Sequence, residues 1–476
     1  MAKVAKNASY YTIGSLIKAA TSFVLLPLFS NILGAEQYGI LNVLQTFSSI
    51  LGVFMTLATE RSLFRLYYDY KTEESKRCFL STVFWAINGI SLIMIVLTLF
   101  TGKYLVTIMG NIDVWRLLLP TVVYTYFIAI VNYSQVLMQV EQKGSSYLKI
   151  SLLLLVSYNA IALLFLFLYT KTVNALIYGQ LLSSIVVLPF AYVNVKRNIT
   201  FYFSVDILRS TFKYSIPLFI SITFAWILNM TDRLFLANLS SMKDAGVYSL
   251  ASKFSQLAIL FIGAIHQAYS PFFYNITNTM PYEVAKQKLI GVNKIMTLLI
   301  CLICLMVAMF TKPALLLFFN EEFYGTTTFV YLLSLSAIFT QHCGLLNVMV
   351  YQNKKVKSMA GISMACGVLS LLLNSILIQK WGAIAAGVSN LIVGITLFIL
   401  TLCVAKKNYY IPISFKIIIG TIIALLCVVF VDVVISDVLV NFVSKIVVLA
   451  VFLFLMFSFK ELRYSELIVL LERSRK

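Results

Sequence analysis

Residues 39–61 read GILNVLQTFSSILGVFMTLATER. From Ile40 to Thr59 no side chain is ionisable. About 20 such residues, coiled as a helix, cross a hydrocarbon core of ~30 Å. Along the same stretch Asn42, Gln45, Ser49, Gly52, Thr56 and Thr59 recur at steps of three and four. That period lines them up on one helix face. A helix surrounded by lipid needs no polar face, because acyl chains offer nothing to bond. The stretch is therefore read as a membrane-spanning helix with one side turned toward other helices or water. It belongs to a bundle and is not a lone anchor.

The rest of the chain repeats this pattern. Of 476 residues, 61% are hydrophobic and 12% charged, against about 25% charged in a soluble domain. So few charges cannot cover a soluble surface. The fold class expected is an all-α polytopic membrane protein. Apolar segments predict about fourteen transmembrane helices near 9–33, 40–60, 79–100, 114–138, 148–169, 172–194, 211–236, 245–275, 288–311, 326–350, 356–379, 381–405, 412–435 and 438–459. Breakers separate them, among them Leu33-Gly34, Gly110-Asn111, Gly144 and Trp381-Gly382. The tail Lys460–Lys476 alternates charge with Leu and Ile, a pattern expected to lie on a membrane surface. Lys3 and Lys6 precede the first segment as in a secretory leader. The apolar run to Leu33 is too long for one and lacks a cleavage pattern, so a retained helix is expected.

The net charge of +19 is explained by topology, with no nucleic acid as partner. Numbering the segments alternately places 27 of the 37 Lys and Arg residues on one side, seven on the other and three inside helices. Basic residues accumulate in cytoplasmic loops. Both ends are accordingly expected in the cytoplasm.

A shift of 207 residues superposes Gly39 on Gly246, Phe47 on Phe254, Ser48 on Ser255, Phe54 on Phe261 and Tyr67 on Tyr274. Six helices separate the second from the eighth, so the two halves share an orientation, a parallel repeat. The expected domains are an N-lobe over 1–195, a cytoplasmic linker over 196–210, a C-lobe over 211–405, and two further helices with a tail over 406–476. The lobes are expected as two pseudo-symmetric six-helix bodies.

Polar stripes recur in the matching places. Helix 8 carries Ser249, Ser252, Gln256, Gly263 and His266; helix 4 carries Thr121, Thr125, Asn132, Gln135 and Gln139. The last two helices read as almost wholly apolar. Interhelical hydrogen bonds, worth about 0.6 kcal/mol on average, would account for one stripe. Matching stripes in both halves favour a central aqueous cavity lined by Asn42, Gln45, Ser49, Gln135 and Gln256. Each Lys, Arg or Asp at mid-helix costs about 2.5–3.5 kcal/mol, so those present invite explanation. Lys18, Arg61, Arg65, Arg233 and Lys253 face only Glu60 and Asp232, a positive surplus suited to an anionic, phosphate-bearing substrate. Glu60, Asp232, His266 and His342 are candidates for coupling protons or sodium. For the histidines, packing and function both remain open, as do anchoring and function for Glu60 and Arg61.

No phosphate-binding GxxxxGK[ST], HExxH or nucleophile elbow occurs. No long outer loop offers room for a glycan polymerase or ligase site, so the chain reads as a carrier and no enzyme. Cys301 and Cys304 have CxxC spacing inside an apolar run without a second pair or a nearby His. They are read as packing residues, with no metal and no cofactor.

One ordered set of residues carries a family resemblance. It begins with Asn7-Ala8-Ser9-Tyr10-Tyr11, Pro27-Leu28-Phe29, Leu33-Gly34 and Tyr38-Gly39. It continues with Tyr214-Ser215-Ile216-Pro217-Leu218, Asp232-Arg233 and Ala245-Gly246-Val247-Tyr248. With fourteen helices, this set resembles the Wzx-type polysaccharide and O-antigen flippases of the multidrug/oligosaccharidyl-lipid/polysaccharide exporter superfamily. The resemblance implies alternating access in a bacterial inner membrane and an undecaprenyl-diphosphate-linked oligosaccharide as substrate. It also implies membrane lipids and other polysaccharide-assembly membrane proteins as partners, and a role in surface polysaccharide synthesis. The family's lumenal cations are carried onto Lys18, Arg61, Arg65, Arg233 and Lys253. A multidrug antiporter of the same superfamily would favour lone cavity carboxylates. A flippase for peptidoglycan precursors is barely separable from this reading on sequence.

Overall fold

The structure, a computed structural model, describes residues 2–353, 355–407, 409–435 and 437–458. The tail expected to lie on a membrane surface, Lys460–Lys476, falls outside them. The described residues form helices and no strand. In order they are α1 (Ala2–Val24), α2 (Leu26–Thr56), the single turn α3 (Leu63–Leu66), α4 (Glu73–Ile108), α5 (Leu119–Val140), α6 (Gly144–Leu168), α7 (Val173–Val195) and α8 (Val205–Leu239). Then follow α9 (Met242–Thr279), α10 (Tyr282–Phe318), α11 (Thr326–Gln352), α12 (Val356–Trp381), α13 (Ile384–Lys406), α14 (Phe415–Val434) and α15 (Val438–Ser458). Thirteen segments of the described chain are long and apolar enough to cross a membrane, and α1 is not among them. The protein is a multi-pass membrane protein.

The first expected helix, 9–33, differs in detail. Pro27 has no N–H to give to the preceding turn, and the chain breaks between α1 and α2 at Leu25. Gly34 then leaves helical geometry (φ 73°, ψ 170°), so α2 is two helical pieces joined at a kink. Only glycine adopts that conformation without strain. Elsewhere several helices run past their apolar stretch because caps extend them. Thr72 and Ser75 form a reciprocal capping box at α4, and Ser204 accepts from Ile207 N at the start of α8. The linker is thereby shortened to 196–204.

Two compact units divide the chain, Met1–Gly246 and Val247–Lys476. The expected lobe boundary fell at 196–210, one helix earlier. The reason lies in α8, which is tied to the first unit along its length. Phe219 meets Phe54 edge to face at 5.1 Å. Trp226 Nε1 donates to Ser49 Oγ at 2.7 Å, and Asn238 Nδ2 reaches the Thr107 and Ile108 carbonyls, both at 3.2 Å. The core of this unit joins Phe79, Val83, Phe84 and Ile87 of α4 to Ala129, Tyr133 and Leu137 of α5. Tyr133 fills it without an unsatisfied hydroxyl, donating to the Leu80 carbonyl at 2.9 Å.

In the second unit α11 and α13 approach closely through glycine. Gly394 leaves room for Ser336 and Thr340, and Ser336 Oγ donates to the Asn390 carbonyl at 2.9 Å. Cys301 and Cys304 are buried in α10, and no metal-binding group exists among the described residues.

Candidate functional site

Each unit carries its own chemistry. In the first, the kinked α2 presents the polar stripe read from the sequence, but its members divide. Asn42 is buried and donates to the Tyr38 carbonyl at 2.8 Å. Ser48 and Thr125 share a hydrogen bond of 2.6 Å, tying α2 to α5. Gln45 is half-buried and Ser49 is exposed apart from its bond to Trp226. Gln135 is half-buried and donates to Ser151 Oγ at 3.2 Å. Part of the stripe is thus packing, and Gln45 and Ser49 are its accessible members.

The expected cations are not equivalent. Lys18 is exposed on α1, without an acidic partner among the described residues. Arg61 and Arg65 sit in the turns after α2, with side chains 58% and 60% exposed. Arg65 pairs with Asp69 at 2.6 Å, while Arg61 lies 3.9 Å from Glu60. Glu60 is inward-turned, and burial pushes its carboxyl above the ordinary range against its hydrogen bonds and Arg61. Its Oε2 has no partner among the described residues. Lys18, Arg61 and Arg65 are therefore accessible in the first unit.

Arg233 behaves differently. It and Asp232 are both buried on α8, 3.8 Å apart. The guanidinium also donates to the Asn229 carbonyl at 3.1 Å and approaches Met230 Sδ at 2.8 Å. This is an internal pair, where the acid answers the base. The sequence grouped Arg233 with the accessible cations; its burial places it in the packing of α8 against α2.

In the second unit Lys253 is half-buried and Gln256 exposed on α9. The His266 ring lies against Gly344, where a Cβ would sit 2.2 Å from it. His342 is sealed in α11 with Nδ1 on the Ile338 carbonyl and Nε2 without a partner among the described residues. Both imidazoles are built into helix packing.

Two features of this unit escaped the sequence reading. One is an apolar groove along α14 and α15 with a volume of about 590 Å³, within the range of ligand pockets. Ile419, Ile423, Cys427, Val447 and Val451 line it, and Lys416 lies toward one end. The other is a buried ionic cluster. Asp432 of α14 lies 2.7 Å from Lys445 of α15 and 3.6 Å from Lys312 of α10. Asn441 donates to it at 2.9 Å, and Tyr331 of α11 donates its hydroxyl. The last two helices are therefore not wholly apolar. One acid in 412–435 and one base in 438–459 were visible signals. Neither segment by itself shows that the two meet.

Residues 4–277 match the family model described as polysaccharide biosynthesis protein. A protein of the Lsg locus of Haemophilus influenzae is 26% identical over 391 residues, covering 78% of this chain and 90% of that one. An uncharacterized membrane protein of the same organism is 24% identical over 368 residues, covering 73% and 84%. Among solved structures, a lipid II flippase in an inward closed conformation superposes with a TM-score of 0.71. It shares 17% identity and covers 94% of this chain and 98% of its own. An inward-facing multidrug resistance transporter of the MATE family superposes at 0.64, with 15% identity over 80% and 93%. At these identities the superpositions speak for the fold.

Proposed function

Since this chain belongs to the polysaccharide biosynthesis protein family, we propose that it is a flippase carrying a lipid-linked oligosaccharide from the cytoplasmic to the outer leaflet. The substrate proposed is an undecaprenyl-diphosphate glycan of surface polysaccharide synthesis, and the membrane is a bacterial inner membrane with both chain ends in the cytoplasm.

The groove along α14 and α15 carries the reading. Such a substrate has two incompatible parts: a long hydrocarbon chain and a sugar diphosphate. A groove lined by Ile419, Ile423, Val447 and Val451 suits the first. A cation is needed beside the second, and Lys416 adjoins the groove. On the first unit Lys18, Arg61 and Arg65 are accessible to an anionic headgroup. An antiporter for cationic drugs has no use for such a surplus of positive charge.

Work is done on the substrate by the membrane itself. An inside-negative potential drives anions outward with about 2.3 kcal/mol per charge per 100 mV. Export of a diphosphate thus runs with the field, and a protein that shields the headgroup suffices to speed it. Glu60, whose carboxyl holds its proton more tightly than usual, is a candidate for taking up a proton as the headgroup passes.

The test is reconstitution. A fluorescent undecaprenyl-diphosphate oligosaccharide in proteoliposomes is exposed to a membrane-impermeant quencher. Loss of the protected fraction only in protein-containing vesicles supports the flippase. Unchanged protection, together with efflux of a cationic dye from the same vesicles, replaces it with the antiporter.

A further inference from the structure

Asp432 of α14 gathers side chains from three other helices. Lys445 and Asn441 reach it from α15, Lys312 from α10 and Tyr331 from α11. Lys312 Nζ also donates to the Asp432 carbonyl at 2.7 Å, and Lys445 Nζ to the Met309 carbonyl at 3.2 Å. The Lys445 side chain is 1% exposed and that of Asp432 5%, whereas Lys312 is 25% exposed.

The charges do not cancel. Two ammonium groups share one carboxylate, and the remaining polar neighbours, Tyr331 and Asn441, are neutral. Fully ionised, the cluster holds one positive charge that no described residue compensates, an unfavourable state within the membrane span. With one proton fewer it is neutral. Asp432 lies within 4 Å of both ammonium groups, so the surplus proton belongs to the cluster and not to one residue.

Lys312 is the most accessible charged member of the cluster. Lys312, Pro313, Leu316, Val438 and Asn441 border a pocket of about 10 Å³, near the smallest that holds a water. Lys312 lies near the end of α10, Asp432 near the end of α14, and Tyr331 and Lys445 near the starts of α11 and α15. All four therefore lie toward the α10–α11 and α14–α15 turns, the side that the loop charges assign to the outside. We propose that Asp432, Lys312 and Lys445 form a proton-exchange site facing the outer side, coupled to transport through the α14–α15 pair. The coupling rests on the flippase reading; the proton exchange does not.

The coupling follows from placement. Two of the charged groups sit on the helices that border the groove. Loading the proton places a net charge among α10, α14 and α15, and releasing it removes one. The ionic contacts holding the α14–α15 pair to α10 and α11 change strength accordingly.

The test measures protons directly. Purified protein in lipid nanodiscs is shifted from about pH 9 to about pH 6, and uptake is read with a pH dye. Lys312→Met, at the most accessible member, leaves a neutral Asp432–Lys445 pair and is expected to take up about one proton fewer per chain than wild type. Equal uptake overturns the site. Should Lys312→Met fail to fold, Tyr331→Phe serves: a shifted uptake midpoint supports the proposal, and an unmoved one overturns it. In proteoliposomes the wild-type flipping rate is expected to depend on outside pH, and that of Lys312→Met to lose the dependence. If wild type takes up the extra proton but moves no lipid-linked glycan, the flippase reading fails and the site stands. If glycan moves and uptake is equal, the reverse holds.

Discussion

Gly39 and Gly246 meet at a helix crossing so tight that a Cβ on Gly39 would lie 1.9 Å from the Met242 carbonyl oxygen, and one on Gly246 would lie 1.9 Å from that of Ala35. The two contacts are reciprocal, and the same two glycines superpose under the 207-residue shift. The repeat and the crossing thus coincide at one point. Backbone atoms are the obstacle on both sides, so no side chain can rotate away. Either Gly→Ala substitution is expected to cost about 1–3 kcal/mol by overpacking, lowering the apparent melting temperature and the folded yield in detergent. Gly89→Ala, with nothing within 4 Å of its Cβ, is the control that changes neither.

On the flippase reading, the accessible cations of the first unit bind the diphosphate together. A charge-assisted hydrogen bond contributes about 1.5–3 kcal/mol, and 1.4 kcal/mol is a factor of about ten. Lys18→Ala/Arg61→Ala/Arg65→Ala is therefore expected to slow flipping at least about tenfold with an unchanged elution profile. Arg65→Ala alone is expected to do least, because Asp69 already holds that guanidinium at 2.6 Å. A triple variant with wild-type flipping would remove these residues from the substrate path.

Glu60 sets a sign for pH dependence. Burial raises its folded pKa, so the folded protein binds this proton more tightly than the unfolded chain. Its contribution to stability then falls as pH rises above the unfolded value of about 4.3, until the folded carboxyl has also ionised. Glu60→Gln is expected to raise the apparent melting temperature at neutral pH and leave it nearly unchanged near pH 4. Melting curves across that range check it; a neutral-pH loss in Glu60→Gln contradicts the assignment.

Filling the groove tests the hydrocarbon side. Ile423 lines it and is 56% exposed, so a larger apolar side chain is accommodated without disturbing the core. Ile423→Trp is expected to keep expression and melting temperature within experimental scatter and to cut flipping about tenfold, equivalent to ~1.4 kcal/mol of lost binding. Competition by added polyprenyl phosphate, strong in wild type and weak in the variant, distinguishes a blocked groove from a general defect.

Most helix positions were legible because spanning a membrane demands long apolar segments; thirteen described segments meet that demand against about fourteen expected. The resemblance-bearing residues also have visible tasks. Asn7 clasps the α5–α6 turn, donating to the Gln142 carbonyl at 2.8 Å and accepting from Gly144 N at 3.3 Å, and Tyr11 packs on Tyr147. Less legible was what depends on partners distant in sequence. Arg233 and Arg65 look alike on paper, yet one is sealed beside Asp232 and the other exposed beside Asp69. Asp432 and Lys445 lie in helices that read as almost wholly apolar, and a single segment does not show that the two meet. The membership of α8 in the first unit likewise depends on Trp226, Phe219 and Asn238 finding partners far upstream.

The most direct measurement of the central claim is the leaflet in which lipid-linked glycan resides when the protein is absent. In a deletion strain, spheroplasts are treated with a membrane-impermeant glycosidase or lectin, and the protected fraction is quantified. Protected, cytoplasmic-side glycan is expected to accumulate, relieved by the wild-type gene and not by the Lys18→Ala/Arg61→Ala/Arg65→Ala variant. Normal display of the glycan outside, with altered sensitivity to cationic drugs, would contradict it.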